Sequence, residues 1–193
     1  EKVQIQSKDQ LFDIQYNKLI LALGGGSWKK TGSDAKWVSI LLQKSVPIRE
    51  LEAANSGYDT SETFQKLEGQ IIKNIQVTYE NDSKLGEIVF TTYGIEGSPI
   101  YYLNRFTRNN SFPLLLHLDL KPNVTVIEIL NKLNKSSHIT STLKNALKLN
   151  TTAINLLKIL DRETFTNPEK LAQKNKKYPI EVLSLRPIDE VIS

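Results

Sequence analysis

The sequence predicts an α+β protein: a small β-barrel or sandwich with a helical subdomain inserted between two of its strands. A strand, a glycine turn and a helix precede it. Three observations carry this reading. From residue 67 to 121, short apolar runs are separated by turn residues such as Asn81-Asp82. From 122 to 177 the apolar period becomes helical, with Thr, Ser and Asn at the starts of the periodic stretches. Tyr178–Leu185 then reads as a strand again, so the helices lie between strands of one sheet.

Taken in order, Val3-Gln4-Ile5-Gln6 and Phe12-Asp13-Ile14-Gln15-Tyr16 alternate apolar and polar residues around Ser7-Lys8-Asp9-Gln10, which predicts a β-hairpin. Leu19 to Leu23 is an apolar run with the length of a buried strand. It ends in Gly24, Gly25 and Gly26, where no side chain restricts the backbone. Thr31-Gly32-Ser33-Asp34 supplies capping residues for a helix over 35–44, stopped by Val46-Pro47 because a residue before proline avoids the α region. Residues 46–51 are then extended.

Ile71–Tyr79 and Leu85–Thr91 are strands, Ile100–Phe106 a short helix, and Leu114–Leu120 a further strand stopped by Lys121-Pro122. Helices are predicted to open at Thr125, at Thr140 or Ser141, at Thr151, and at Asn167-Pro168, where Asn is the cap and proline the first helical residue.

Composition narrows the function classes. The chain of 193 residues is 39% hydrophobic and 24% charged, as ordinary globular proteins are. No apolar run approaches the length of a membrane span. Cys is absent, which excludes thiol catalysis and Cys-ligated zinc and agrees with a cytoplasmic location. The two histidines, His117 and His138, form no ligand pair, so no metal site is expected. Met is absent even at position 1, and the chain reads as a piece of a longer protein.

Strand, glycine turn and helix start together place free N–H groups where a phosphate or carboxylate can approach. Neither G-x-G-x-x-G nor G-x-x-x-x-G-K-[ST] is present, so this is half of a nucleotide site.

Three separated stretches resemble one family. Leu21-Ala22-Leu23-Gly24-Gly25-Gly26-Ser27-Trp28 with Thr31-Gly32-Ser33-Asp34 is similar to the A-T-G-G-x-S-x-P-x-T-G-S-x-G segment of the BaiN-like predicted flavoproteins, also called NAD(FAD)-utilizing dehydrogenases. Gly86-Glu87-Ile88-Val89-Phe90-Thr91-Thr92-Tyr93-Gly94-Ile95-Glu96-Gly97 resembles their G-E-x-x-x-T-x-x-G-[IL]-E/S-G barrel motif. Arg186–Ser193 is similar to the segment before their last FAD-contacting glycines.

The resemblance implies an FAD-binding Rossmann-like domain split by an insertion of a β-barrel and a helical bundle. Residues 1–45 would then be a remnant of the FAD domain, 46–121 with 178–187 the barrel, 122–177 the helical subdomain, and 188–193 the start of the return. The parent would be an FAD-dependent oxidoreductase using NAD(P)H, with the rest of its own polypeptide as partner and an inert fragment here. It also implies that Gly24, Gly25, Gly26, Ser27, Thr31, Gly32 and Ser33 lie against FAD. Three positions depart from the pattern: Leu23 stands for Thr, Lys29 for Pro and Ala35 for Gly.

Other candidates have plainer roles. Glu87 and Glu96 form a carboxylate pair only if the fold brings them together. Arg105 and Arg108 suit an anion or solvent, Trp28 and Trp37 a flavin ring or the core, and His117 alternates with leucines on a strand. No catalytic residue is assigned. The net charge of +4 supports a second reading, a basic barrel module binding RNA or the ribosome, with Lys29, Lys30, Arg105, Arg108 and Lys121 as its cationic residues. A third is a domain that only docks on the rest of its polypeptide.

Overall fold

The computed structural model describes residues 1–191; Ile192 and Ser193, the last two of the Arg186–Ser193 stretch, lie outside the described residues. Six strands close into an antiparallel barrel: β3 (Tyr58–Thr60), β4 (Ile71–Tyr79), β5 (Asp82–Phe90), β6 (Gly94–Glu96), β7 (Leu114–Asp119) and β8 (Tyr178–Leu185), in the order β3-β6-β5-β4-β7-β8. The N-terminal strands β1 (Lys2–Ser7) and β2 (Gln10–Gln15) pair only with each other, as a hairpin outside the barrel.

Alternation fills the barrel, because successive side chains on a strand point to opposite faces. Ile75, Val77, Ile88, Phe90, Leu116, Leu118, Ile180 and Val182 are buried inside it. Register pairs Leu116 with Ile180 and Leu118 with Tyr178, so the inward faces of β7 and β8 coincide. A bulge in β4 between Ile72 and Ile75 puts Asn74 at φ +56° and turns the strand around the barrel. The turn Gln65–Leu67 brings Phe64 and Leu67 into the core, with Phe64 and Phe90 ring centroids 4.9 Å apart.

Helix α2 (Ser98–Thr107) packs against β5, and this explains the Gly86–Gly97 motif. A Cβ on Gly86 would stand 2.7 Å from Ser98 Oγ and 2.8 Å from Pro99 Cγ. Gly97 has φ +129°, and a Cβ there would stand 2.2 Å from the Glu87 carbonyl oxygen. The motif is thus the place where a helix begins in direct contact with a strand.

Between β7 and β8 the chain makes the helical excursion: α3 (Val126–Asn134), α4 (Ile139–Ser141), a π-helical turn over Thr142–Ala146, α5 (Thr151–Leu157), α6 (Arg162–Thr166) and α7 (Pro168–Lys176). Their apolar faces, including Ile129, Leu133, Leu143, Leu157 and Leu171, join the barrel residues in one continuous core. Thr125 opens α3 with a reciprocal capping box to Glu128, and Asn167 caps α7 with Pro168 following. The helix expected at Thr140 or Ser141 begins earlier, after His138, whose N–H is held by Ser136 Oγ at 3.1 Å. Asn150 caps α5 through the Ala153 N–H, one residue before the expected Thr151.

One expected element is absent. Leu19–Leu23 forms no strand, and Ile20 is 89% exposed. A buried strand needs flanking strands to take up its N–H and C=O groups. Among the described residues none lies beside this run.

Candidate functional site

The glycine segment is a compact turn leading into α1 (Lys36–Gln43). Gly24 has φ +77°, Trp28 +60°, Gly32 +94° and Ala35 +53°, so the chain enters the left-handed region four times in twelve residues. Residues Lys29–Thr31 make one tight turn, closed by the Thr31 N–H to the Trp28 carbonyl at 2.8 Å and the Gly32 N–H to the Lys29 carbonyl at 3.1 Å.

This folding brings the expected residues together in two places. Gly24 lies beside Ser33, whose Oγ would be 3.7 Å from a Cβ built on the glycine. Gly26 lies against Ala35 and Leu51: a Cβ on it would stand 3.2 Å from the Ala35 Cβ and 2.5 Å from Leu51 Cδ1. Gly26 and Ser27 are buried, Gly25 half-buried, and Gly24 and Gly32 exposed. A Cβ on Gly32 would meet nothing within 4 Å. The N–H groups of Gly24, Gly25 and Gly26 have no protein partner among the described residues.

The expected cap of α1 is differently made. Thr31 Oγ1 donates to the Trp28 carbonyl, at 2.9 Å, and so closes its own turn. Ala35 occupies the cap position with no side-chain bond, while Asp34 accepts the Lys36 N–H at 3.2 Å. Lys36 Nζ pairs with Asp34 at 2.6 Å; this contact, with the backbone bond, holds the Asp34 carboxyl below its ordinary range. Ala35 therefore adopts the backbone conformation that a glycine would supply, which answers how the substitution is tolerated.

Beside this turn is a cavity of about 660 Å³, lined in part by Gly26, Lys29, Ala35, Ser39, Leu51 and Asp189. Lys29 Nζ and Asp189 Oδ2 are 3.3 Å apart across it, joining the glycine turn to the segment after β8. The cavity thus lies where the N-terminal segment meets the chain leaving the barrel.

The fold keeps the other candidates apart. Glu87 pairs with Lys73 at 3.7 Å, whereas Glu96 accepts from the Tyr93 hydroxyl and, at 3.5 Å, from Tyr101. Burial, with the Glu96 carboxylate, pushes both phenols up, so each remains a donor. His117 lies on the outer barrel surface; burial and then Lys177 and Lys174 push its pKa down. Trp28 is exposed, and Trp37 is half-buried with its indole N–H lacking a partner among the described residues. Groups of three or more metal-ligating side chains are absent among the described residues. Of the basic residues, Lys29 is paired with Asp189, Arg108 with Glu52 at 3.4 Å, and Arg105 lies over the Tyr102 ring. None of these arrangements favours a nucleic-acid interface.

Sequence reasoning missed a cluster at the barrel rim. Arg186 reaches Asp59 at 2.9 Å and Glu190 at 3.0 Å while lying 4.3 Å over the Tyr93 ring. Asn104, fully buried, is hydrogen-bonded to both backbone groups of Ser56. Their partners named here are 48 to 127 residues away in the chain, except for Glu190, so no local pattern announces them.

The architecture defines a class: a closed six-stranded barrel carrying a helical unit between two adjacent strands. Within that class, residues 52–193 match the family described as the HI0933-like protein barrel and H2TH domain, and the chain belongs to this family.

Proposed function

We propose that this chain is part of a flavin-dependent oxidoreductase, in which the barrel and helical unit cover the substrate side of a flavin site. The observation that carries this is the family match over residues 52–193, since that family is associated with flavoproteins. In this reading FAD, reduced by NAD(P)H, supplies the redox chemistry.

The glycine turn suits the group. The N–H donors on Gly24 to Gly26, which have no partner among the described residues, can meet an anionic or carbonyl oxygen, and the open space at Gly32 lets a ligand approach the backbone closely. The Ser33 hydroxyl lies next to Gly24, and Ser27 and Thr31 are further hydroxyl residues of the same segment. The residues of this chain thus bind and orient, and no proton-transfer role is assigned to them.

The apolar run Leu19–Leu23, exposed at Leu19, Ile20, Leu21 and Leu23, is the surface that the remainder of the polypeptide covers. Residues 1–45 and 188–193 belong to the flavin domain in this reading, and 46–187 to the insertion. No helix of the described residues is long and apolar enough to cross a membrane. We place the protein in the cytoplasm.

Because most of the cofactor surface belongs to other segments, the chain alone is inert. FAD titrated into residues 1–193, followed by flavin fluorescence, should give no stoichiometric quenching. Tight stoichiometric quenching would show that the glycine turn and its neighbours suffice, against this division of the site.

A further inference from the structure

The two strands of chain that join the barrel to the glycine-turn segment run side by side, and they are fastened to each other at several points. The inbound segment passes Glu52 to Gly57 into β3, and the outbound segment leaves β8 through Arg186, Pro187 and a tight turn over Ile188–Glu190. We infer that Asn104 and Arg186 form a latch across this crossing, which fixes the orientation of the glycine turn relative to the barrel.

Asn104 holds the inbound side. It projects from the middle of α2 and is fully buried. Its Oδ1 accepts the Ser56 N–H at 2.6 Å and its Nδ2 donates to the Ser56 carbonyl at 3.1 Å. The amide thereby imitates a neighbouring strand and leaves Ser56 no freedom to shift without losing both bonds. Ser56 then links the two segments: its Oγ lies 2.9 Å from both the Gly57 and the Arg186 carbonyl oxygens. The Arg186 N–H donates to the Gly57 carbonyl at 3.0 Å.

Arg186 holds the outbound side. Its guanidinium donates to Asp59 of β3 at 2.9 Å and through Nε to Glu190 at 3.0 Å, and it lies 4.3 Å over the Tyr93 ring. Asp59 is itself held by Ser184 Oγ at 2.6 Å. A planar five-donor fork is needed to meet two carboxylates while stacked on a ring; an ammonium group cannot do this. The fork therefore fastens the turn 188–190 to the barrel wall. From that turn, Asp189 reaches Lys29 of the glycine segment at 3.3 Å, and on the inbound side Glu52 reaches Arg108 at 3.4 Å. A continuous polar path runs from the barrel loop at Tyr93 to the glycine turn.

In a hinge, a few residues at element ends absorb the backbone change. Here the residues placed to do so are hydrogen-bonded and stacked, so the crossing is a rigid one. This inference concerns orientation and stands apart from whether the ligand is FAD.

The chain contains no cysteine, so two spin labels can be placed without background. Lys44→Cys, after α1, and Lys144→Cys, in the helical unit, are both exposed positions. The inter-label distance distribution of this doubly labelled chain should be narrow. Arg186→Met and Arg186→Lys should each broaden it by about twofold, as a loosened hinge does, while far-ultraviolet circular dichroism stays unchanged. Lys73→Met, which removes the barrel-surface pair with Glu87, should leave the width as it was. Should Arg186→Met fail to fold, Glu190→Gln removes the outbound carboxylate charge and should broaden the distribution on its own. A broad distribution before any substitution, or an unchanged width in folded Arg186→Met or, in its place, Glu190→Gln, would overturn the latch.

Discussion

Ala35 sits at φ +53°, a conformation that a Cβ penalises and glycine does not. Its substitution by glycine should therefore stabilise the chain by about 1 kcal/mol, the relief of left-handed strain outweighing the added freedom of the unfolded chain. Thermal unfolding of Ala35→Gly followed by circular dichroism checks the sign. Gly97 is the opposite case, because a Cβ there would stand 2.2 Å from the Glu87 carbonyl oxygen. Gly97→Ala should destabilise by roughly 3 kcal/mol or more, through strain and forced separation of α2 from β5, in a urea titration. Both glycine-rich motifs were visible in the sequence, but their meanings were not equally visible. In the Gly86–Gly97 pattern Gly94, Gly97 and Pro99 read as a strand-to-helix transition, and the fold adds the contacts: the start of the helix stands against Gly86 and the strand backbone at Glu87 against Gly97. For Arg186, Asp59 and Tyr93 the sequence offered less still, since three ordinary residues become a cluster only when β3, β6 and β8 meet at the barrel rim.

At the scale of elements, strands and helices were legible where a local period and a local cap agreed. Thr125-Val126-Ile127-Glu128 carries both halves of a capping box, and α3 starts there. The five-residue α6 is too short to show a period, and β3 and β6, of three residues each, are too short to alternate. Leu19–Leu23 went astray for another reason: its composition suits a strand, but strand formation requires a partner, and composition does not record whether one is present. The caps also set the response to acid. Glu128 is held below its ordinary value of 4.5 first by the Thr125 N–H and then by the Thr125 hydroxyl, and Asp161 below 3.8 first by the Thr164 N–H. A carboxyl with a depressed folded-state pKa stabilises above its unfolded value, and that stabilisation is lost as pH falls through the folded value. The helical unit should therefore hold its melting temperature from neutrality to about pH 5 and lose it on further acidification. In Glu128→Gln with Asp161→Asn, melted across the same series, the acid-dependent part should shrink.

The whole molecule follows one logic: a barrel closed by β8 returning beside β7 and β3, a helical excursion sharing its core, and a seam where both ends of the barrel chain meet the glycine turn. The order strand, helix, strand was legible because periodicity changes sharply at 122 and again at 178. The barrel was legible too: the short strands left barrel or sandwich open, and the family resemblance pointed to the barrel, whose closing pairs of β3 with β6 and β8 no local pattern records. At this scale the central claim is that the barrel and helical unit serve a flavin site completed by other segments of the same polypeptide. Flavin content of the longer polypeptide that this proposal requires, purified without added cofactor and read by its absorbance spectrum after denaturation, tests it most directly. FAD in stoichiometric amount is the predicted result, reduced sharply by Gly25→Val; a polypeptide that is free of flavin and takes up none when FAD is supplied would contradict it.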